Sequence, residues 1–416
     1  MQKIKKPELL APVGSFDSLQ AAVNACADAV YFGVEQLNMR TRSANSFTID
    51  DIKEISRICK TNHIKSYITL NTVMYEHDMQ LLKQILKEVK KQGIDAVIAS
   101  DFAVIEYCNQ MGIPLHISTQ ANVSNIESVL FFSKFADVIV LARELTLKQV
   151  KHITREIKRK KIKGPSGELV KIEIFVHGAL CMAVSGKCYL SLHTQNASAN
   201  RGACVQNCRR SYLVKDAETG EELMVKNEYI MSPKDLCTID ILDQVIDSGV
   251  DVLKIEGRTK GADYVQVVTQ CYREAVDAIL NGTFSQEKAN AWKGEMEKVY
   301  NRGFWEGYYL GRKLGEWTPH PGSAATEKKI YIGKGTKYYA KIGVGEFLIE
   351  SGNIKTGDTL MISGPKCGMV KEKMETLVVN GEKNETATKG DLITFPFATR
   401  VTASDKLYKI VEVANA

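Results

Sequence analysis

Four cysteines in one short segment point most directly to chemistry. They are Cys181, Cys188, Cys204 and Cys208, four of the ten cysteines in the chain, with the spacing C-x₆-C-x₁₅-C-x₃-C. Thiolates bind both Zn²⁺ and iron–sulfur clusters. Structural zinc sites usually use C-x₂-C or C-x₄-C pairs, which this segment lacks, whereas Cys₄ ligation is usual for a [4Fe–4S] cluster. The spacing therefore favours a [4Fe–4S] cluster, with a zinc site as the alternative.

The surroundings of these cysteines argue against a third interpretation, four unrelated thiols in a core. The segment is rich in Gly, Ser and Asn, and it follows an apolar run that ends near Gly178. The six other cysteines are scattered and mostly lie in apolar stretches. Cys237, in SPKDLCTI, is a possible ligand in place of Cys208.

Several polar side chains at or beyond the ends of apolar runs could also take part in chemistry. An arginine grips a carboxylate through two parallel hydrogen bonds. The predicted substrate-binding residues are Arg40, Arg42, Gln120, Arg143 and Arg258. His177 and Glu256 are the predicted catalytic residues, because either side chain can move a proton. A structural salt bridge, or a buried histidine with no role in chemistry, is the alternative for each.

Eight apolar runs must position these side chains. They are residues 8–13, 29–33, 66–71, 96–100, 115–119, 138–142, 172–178 and 252–257. Several are near-continuous in Val, Ile and aromatic residues, as in strands buried on both faces of a parallel sheet, and helical patterns lie between them. Eight strands close a TIM-like (β/α)₈ barrel of the α/β class, whose working residues stand at the C-terminal strand ends. An open doubly wound sheet is disfavoured, because no G-x-G-x-x-G follows the first run.

The sequence pattern changes after residue 318. Pro319 and Pro321 mark a predicted linker over residues 319–329. From 330 to 416, short alternating runs are separated by turn residues, which predicts a small all-β barrel. The predicted organisation is thus a TIM-like barrel with a cysteine-bearing insertion over residues 1–318, the linker, and a small β-barrel domain. The small β-barrel domain is expected either to contact nucleic acid or to act as a stability or dimerisation module.

Composition limits the class of protein. The 416 residues are 44% hydrophobic and 25% charged, which is ordinary for a globular chain. No stretch reaches the roughly 18 apolar residues of a membrane span, and the N-terminus lacks the apolar region of a signal peptide. A cytoplasmic location without a membrane partner is expected, where thiols stay reduced. The net charge of +6 permits an anionic partner without requiring one.

Two further features bear on an RNA partner. The run REIKRKKIKG (155–164) holds six basic residues and one acid, and it is either a solvated helix end or a phosphate contact. Bases of single-stranded RNA stack on aromatic side chains. The aromatic candidates are Tyr189, Tyr212, Trp305, Tyr308 and Tyr309, with core packing as the alternative.

The segment EIFVHGALCMAVSGKCYLS (173–191) resembles the signature of the collagenase-like peptidase family of unassigned catalytic type. That signature is E-x-F-x₂-G-[SA]-hydrophobic-C-x₄-G-x-C-x-hydrophobic-S, and every specified position matches. The similarity extends through SPKDL, LKIEGRTKGADYV and YNRGFWEGYY, and it covers most of residues 8–315. One departure is that Arg210 and Ser211 follow Cys208-Arg209, where relatives often have an aromatic residue.

The resemblance implies a function that differs from the family name. Better-understood relatives are iron–sulfur proteins of oxygen-independent hydroxylation, and this domain arrangement is most similar to the tRNA enzymes that make 5-hydroxyuridine at the wobble position with prephenate. For this chain it implies a [4Fe–4S] cluster on the four cysteines, prephenate as co-substrate and the tRNA anticodon region as partner. The alternatives are a collagenase-like peptidase, a hydroxylase of another RNA such as ribosomal RNA, and a non-catalytic cluster protein.

Overall fold

Ten strands form the sheet of the N-terminal part. The computed structural model describes residues 5–39, 47–212, 215–220, 231–311, 315–318, 322–397 and 399–413. The strands are β1 (Glu8–Pro12), β2 (Ala29–Phe32), β3 (Lys65–Leu70), β4 (Ala96–Ala99), β5 (Leu115–Ile117), β6 (Val138–Val140), β7 (Lys171–Gly178), β8 (Asp235–Cys237), β9 (Val252–Ile255) and β10 (Phe304–Trp305).

Eight of these strands close into a barrel. Strands β1 to β7 pair parallel in chain order, and β9 pairs parallel with both β1 and β7. The predicted TIM-like barrel is therefore confirmed, and each of the eight predicted runs forms one of its strands. Its apolar side chains divide into a small cluster that includes Leu10, Tyr31 and Val252 and a large cluster shared with the helices.

Ten α-helices are formed by the described residues. They are α1 (Phe16–Asn24), α2 (Asp51–Thr61), α3 (Met79–Gln92), α4 (Phe102–Met111), α5 (Ile126–Phe132), α6 (Leu147–Lys160), α7 (Leu190–Gln195), α8 (Leu242–Asp247), α9 (Ala262–Leu280) and α10 (Gln286–Glu297). Local signals set several ends: Thr146 caps α6, and Gly93 ends α3 in the left-handed conformation, at a φ of +65°. None of these helices is long and apolar enough to cross a membrane.

Strands β8 and β10 are additions that the sequence analysis missed. Strand β8 pairs antiparallel with the end of β7, where Cys237 faces His177, and β10 pairs parallel with β8. They extend the sheet beyond the barrel wall beside the cysteine segment. Neither strand lies in a longer apolar run, unlike the similarly short β5 and β6, which is why the sequence did not indicate them.

The C-terminal part is antiparallel β structure, as predicted. Its strands are β11 (Glu327–Tyr339), β12 (Val344–Ile349), β13 (Asn353–Lys355), β14 (Thr359–Gly364), β15 (Gly368–Lys373), β16 (Val378–Val379), β17 (Glu382–Lys383), β18 (Thr386–Thr388), β19 (Leu392–Pro396) and β20 (Lys406–Glu412). Among the described residues, eight of them form one sheet whose order runs from β15 to β17, and β13 pairs with β18. Strand β11 begins inside the predicted linker, and the predicted domain boundaries stay a prediction.

The C-terminal sheet packs against helix α1 of the barrel. Asn24 Nδ2 donates to the carbonyl oxygen of Cys367 at 2.8 Å. Gly368 lies so close to the helix that a Cβ there would stand 2.8 Å from the backbone nitrogen of Ala21, and its φ is +71°. Glycine is therefore required at this contact for both space and backbone conformation.

Candidate functional site at the barrel mouth

The cysteine segment, residues 179–211, lies across the C-terminal ends of the barrel strands. Three hydrogen bonds join it to residues that follow β3, β5 and β6: Val73 N to Asn200 O at 3.1 Å, Asn122 Nδ2 to Ser185 O at 3.0 Å, and Arg143 Nη1 to Ala179 O at 3.0 Å. The segment thus covers the face at which TIM-barrel enzymes place their active sites.

Three of the predicted ligand thiols stand within electrostatic range of the fourth, Cys208. Burial raises the pKa of the Cys208 thiol, the Arg209 guanidinium opposes that rise, and the other three thiols add to it. Among the described residues, no three His, Cys, Asp or Glu side chains are placed to hold a metal ion. The assignment of these four cysteines as ligands stays a prediction.

Arg209 ties the two ends of the cysteine segment together. Its Nη2 donates to the carbonyl oxygen of Leu180 at 2.7 Å, and its Nη1 donates to Ser232 Oγ at 3.0 Å. Leu180 precedes Cys181 and Arg209 follows Cys208, so this one side chain joins the backbone before the first predicted ligand to the residue after the last one. Charge-assisted hydrogen bonds of this kind are stronger than neutral ones.

Cys237, the possible substitute ligand, lies in a different environment. It is buried on β8, where the Tyr272 hydroxyl lies 3.9 Å from its sulfur. Burial raises the pKa of its thiol to about 12. Cys237 thus lies outside the cysteine segment, paired across β8 with His177, and the choice of Cys208 as the fourth ligand stays a prediction.

A buried ion pair lies inside the barrel. Lys254 Nζ, on β9, donates to Glu173 Oε1, on β7, at 2.6 Å, and both residues are almost fully buried. His116, on β5, lies 3.7 Å from the other oxygen of Glu173. Lys254 also stands 4.5 Å from the ring centre of Tyr31, on β2. Lys254 and Glu173 are on paired strands, whereas the contacts of His116 with Glu173 and of Lys254 with Tyr31 join strands that are not neighbours and so cross the barrel interior.

Arg143 and Arg258 form a cationic group with Lys254 in the barrel interior. Arg143 lies 3.9 Å from the ring centre of Phe175, the ring that Lys254 also approaches, at 5.4 Å. Burial lowers the pKa of Lys254, the Glu173 carboxylate opposes that, and the charges of Arg258 and Arg143 lower it further. Arg143 and Arg258 therefore add two positive charges beside the Lys254–Glu173 pair, which is a setting for an anionic ligand.

Arg258 is fixed by polar contacts within the barrel wall. Its Nη1 donates to Thr69 Oγ1 at 2.6 Å and to Asn38 Oδ1 at 3.1 Å. A Cβ at residue 33 would stand 2.6 Å from this nitrogen, so Gly33 leaves the room that Arg258 needs. The predicted substrate-binding residues Arg40 and Arg42 lie outside the described residues.

Gln120 and Glu256 also lie at the mouth, as the sequence analysis predicted. Gln120 Oε1 accepts from Asn71 Nδ2 at 3.3 Å, and its side chain packs under Gly186 of the cysteine segment. Glu256 directly follows β9 and is buried, and its backbone nitrogen donates to the carbonyl oxygen of His177 at 2.8 Å. Their roles in binding and catalysis stay predictions.

His177 points away from the cationic group. The β7–β9 register shifts between Phe175 and His177, so His177 pairs with Ile255 and its ring packs against Tyr264, Tyr272 and Phe304. Burial lowers the pKa of His177 to about 3, and the Glu256 charge opposes that. The ring is therefore neutral at physiological pH, and its predicted catalytic role stays a prediction.

This buried histidine should make stability depend on pH. The unfolded chain protonates His177 near its ordinary pKa of about 6.5, whereas the folded protein does so only near 3. The contribution of His177 to stability is fully present above its pKa in the unfolded chain. It is lost as the pH falls towards its pKa in the folded protein. Between about pH 7 and 5, urea unfolding of the unchanged protein should show an extra loss of about 2 kcal/mol relative to His177→Phe. Parallel curves for the two proteins would contradict the prediction.

The basic run at 155–164 lies at the opposite end of the barrel. Helix α6 begins near the C-terminal end of β6 and ends at Lys160, and Ser166 Oγ donates to Asp137 Oδ1, beside the start of β6. The run therefore lies away from the cysteine segment, and its interpretation as a phosphate contact stays a prediction. Two of the aromatic candidates, Trp305 and Tyr309, are buried core residues.

Lys254 and Glu173 are the site residues that sequence reasoning did not assign. A signal existed, because both charges fall within apolar runs that form buried strands. An ionisable side chain in such a run is rarely fully buried unless it is paired. The partner could not be read from the sequence, because β7 and β9 are separated by the whole cysteine segment.

The amino-acid sequence matches a known protein family. A family model described as peptidase family U32 matches residues 14–319, which is most of the chain. The chain belongs to peptidase family U32. The U32 assignment confirms the resemblance seen in residues 173–191.

U32 relatives carry two kinds of name. A collagenase from Porphyromonas gingivalis is 53% identical over 402 residues, 97% of each chain. The tRNA hydroxylation protein P1 of Bacillus subtilis is 35% identical over 305 residues, 72% of this chain and 69% of that protein. The 23S rRNA 5-hydroxycytidine C2501 synthase of Escherichia coli is 33% identical over 316 residues, 74% of this chain and 46% of that protein. The names of these U32 relatives support the conclusion that this chain is an enzyme.

Proposed function

We propose that this protein is a tRNA hydroxylase that converts the wobble uridine to 5-hydroxyuridine without oxygen, with prephenate as co-substrate. The observation that carries the proposal is the placement of four neighbouring thiols directly over a barrel interior that holds Arg143, Lys254 and Arg258. A cluster site and an anion pocket would thus share one mouth. The tRNA hydroxylation protein of Bacillus subtilis, at 35% identity, supports the choice of reaction.

The four cysteines of the segment would hold a [4Fe–4S] cluster. When bound, such a cluster supplies one-electron redox chemistry or structural support. Arg209 would hold the two ends of the segment together and place a positive charge beside the thiolates. Positive charge near a thiolate favours its ionised form, which is the form that binds iron.

The cationic group would bind the carboxylates of prephenate. Arg143 is positioned by its hydrogen bond to the Ala179 carbonyl and by the Phe175 ring, while its Nε has no hydrogen-bond partner among the residues that the structure describes. A buried donor without a partner costs free energy unless a ligand satisfies it. Prephenate carries two carboxylates, so Arg143 would grip one of them while Lys254 and Arg258 add attraction.

Arg143→Ala should weaken prephenate binding. Loss of a charge-assisted hydrogen bond costs about 1.5–3 kcal/mol, so the Kd should rise roughly 10- to 100-fold, as measured by calorimetry on anaerobically prepared protein. Arg57→Ala, which alters an exposed pair with Glu54 on α2, is the control and should leave the Kd unchanged. Equal Kd values for the unchanged protein, Arg143→Ala and Arg57→Ala would show that prephenate does not bind in this pocket.

Nucleoside mass spectrometry of tRNA tests the proposed reaction. A strain that lacks this gene and any paralogue should lose 5-hydroxyuridine and the nucleosides derived from it. The unchanged gene should restore them, whereas a gene carrying Arg143→Ala should restore them poorly. Unaltered nucleosides in the deletion strain would refute the tRNA reaction, and loss of a hydroxylated nucleoside from ribosomal RNA would instead support the rRNA alternative.

A second candidate function is a peptidase that acts on collagen. The observation in its favour is the 53% identity to a relative named collagenase. Anaerobically and aerobically purified protein should be incubated with native collagen and with gelatin. Cleavage that persists in the purified protein and disappears with a single site substitution would support the peptidase over the hydroxylase.

A further inference from the structure

We propose that three exposed aromatic rings, Tyr75, Phe102 and Tyr189, form a collar around the barrel mouth on which unpaired RNA bases stack. The collar rests on the proposed function, because it names the side chains that would hold the RNA substrate there. Phe102 is 74% exposed, Tyr189 70% and Tyr75 51%. Large aromatic side chains normally bury most of their surface, so three such rings around one opening indicate a partner.

Backbone connections place the three rings around one opening. Tyr75 follows β3 and Phe102 follows β4, which are adjacent strands, and Met74 N donates to Asp101 Oδ2 at 2.9 Å. Tyr189 directly follows Cys188 in the cysteine segment that crosses the mouth. The segment is joined to the Tyr75 loop by the bond from Val73 N to Asn200 O, at 3.1 Å.

Charge distinguishes RNA from an apolar protein partner. From Gly178 to Tyr212 the chain contains no Asp or Glu, and its charged residues are Lys187, Arg201, Arg209 and Arg210. Lys187 and Arg210 are exposed. Aromatic rings interleaved with cations suit single-stranded nucleic acid, because bases stack on the rings while phosphates pair with the cations.

Arg201 places another cation of the cysteine segment against the ring of Tyr75. Its guanidinium carbon lies 4.2 Å from the centre of that ring, and it forms an ion pair with Asp78. The Arg201 Nη1 also donates to the carbonyl oxygen of Val73 at 2.9 Å. The stacked guanidinium covers one face of Tyr75 and fixes the ring, which leaves half of the side chain exposed for a base.

Binding of a short RNA hairpin with an open loop tests the collar. Tyr189→Ala and Phe102→Leu should each raise the Kd for the hairpin roughly 5- to 100-fold, the cost of losing one base stack. Tyr189→Phe keeps the ring and should bind as the unchanged protein does. Phe131→Ala, which alters a 47% exposed ring on the outer surface of α5, is the matched control and should also have no effect.

A base-paired probe separates stacking from charge. The same strand annealed to its complement offers phosphates without free bases, so Tyr189→Ala should not change its weaker binding. Lys187→Ala should weaken both probes and reduce the salt dependence, whereas Lys163→Ala, at the other end of the barrel, should not. Equal effects of Tyr189→Ala and Phe131→Ala, or hairpin binding untouched by any ring substitution, would overturn the collar.

These outcomes are independent of the hydroxylation assay. If tRNA nucleosides are unchanged in the deletion strain while the ring substitutions still weaken hairpin binding, the proposed reaction fails and the collar stands. If hydroxylation is lost in the deletion strain while the ring substitutions leave hairpin binding unchanged, the collar fails and the proposed reaction stands.

Discussion

Cys208→Ser is expected to remove nearly all bound iron and acid-labile sulfide from anaerobically purified protein. The four thiols are neighbours, and Arg209 holds Cys208 beside the start of the segment. A hydroxyl is a far weaker ligand for iron than a thiolate, because soft sulfur is the donor that iron–sulfur clusters select. The same loss is expected for serine at residues 181, 188 and 204, measured as iron and sulfide per chain together with the visible absorption of the cluster.

Cys237→Ser is the matched control for this series. Its thiol is buried on β8 beside the Tyr272 hydroxyl, outside the cysteine segment, so the substitution should leave iron and sulfide unchanged. Full iron content in Cys208→Ser together with loss of iron in Cys237→Ser would show that Cys237, and not Cys208, is the fourth ligand. Stoichiometric zinc in the anaerobically purified protein would refute the cluster itself.

Glu173→Gln is expected to lower the free energy of unfolding by about 3–5 kcal/mol, the usual cost of removing one partner of a buried ion pair. Burial alone would raise the pKa of Glu173, but Lys254 and His116 lower it, so the carboxylate is ionised in the folded barrel. The amide would leave the Lys254 ammonium, 2.6 Å away, buried without its counter-charge. Urea unfolding monitored by circular dichroism measures the change.

A double substitution shows whether the charge causes the loss. Glu173→Gln with Lys254→Met replaces the pair by groups without charge and should recover much of the stability, because apolar replacements of buried pairs are often tolerated. Glu54→Gln, which alters an exposed pair with Arg57, should have little effect. No recovery in the double variant would show that packing rather than charge is responsible.

The barrel could be predicted from the sequence because each of its strands lies in a longer apolar run. Runs such as ITL in β3 and EIFV in β7 are buried on both faces, and a helical repeat follows β3. Strands β8 and β10 could not be predicted, since neither lies in such a run. They form only because the chain after the cysteine segment returns to the end of β7.

The placement of the cysteine segment and of Arg143 beyond strand ends was predictable, because residue type and position are enough to suggest it, while their roles stay predictions. The orientation of His177 was not. Strict alternation along β7 places His177 on the same face as Glu173 and Phe175, but the register shift before His177 turns it towards α9. One extra residue in a strand reverses the face of every residue that follows, and it leaves no signal in the sequence.

Closure of the barrel by β9 has a consequence for biosynthesis. Glu8 pairs with Val252, so the ring cannot close until the ninth strand has left the ribosome. The cysteine segment is translated earlier, between β7 and β9, and thus emerges while the sheet is still open on one side. Pairings between distant parts of a chain form slowly. The nascent protein therefore exposes its four thiols before the finished barrel stands behind them.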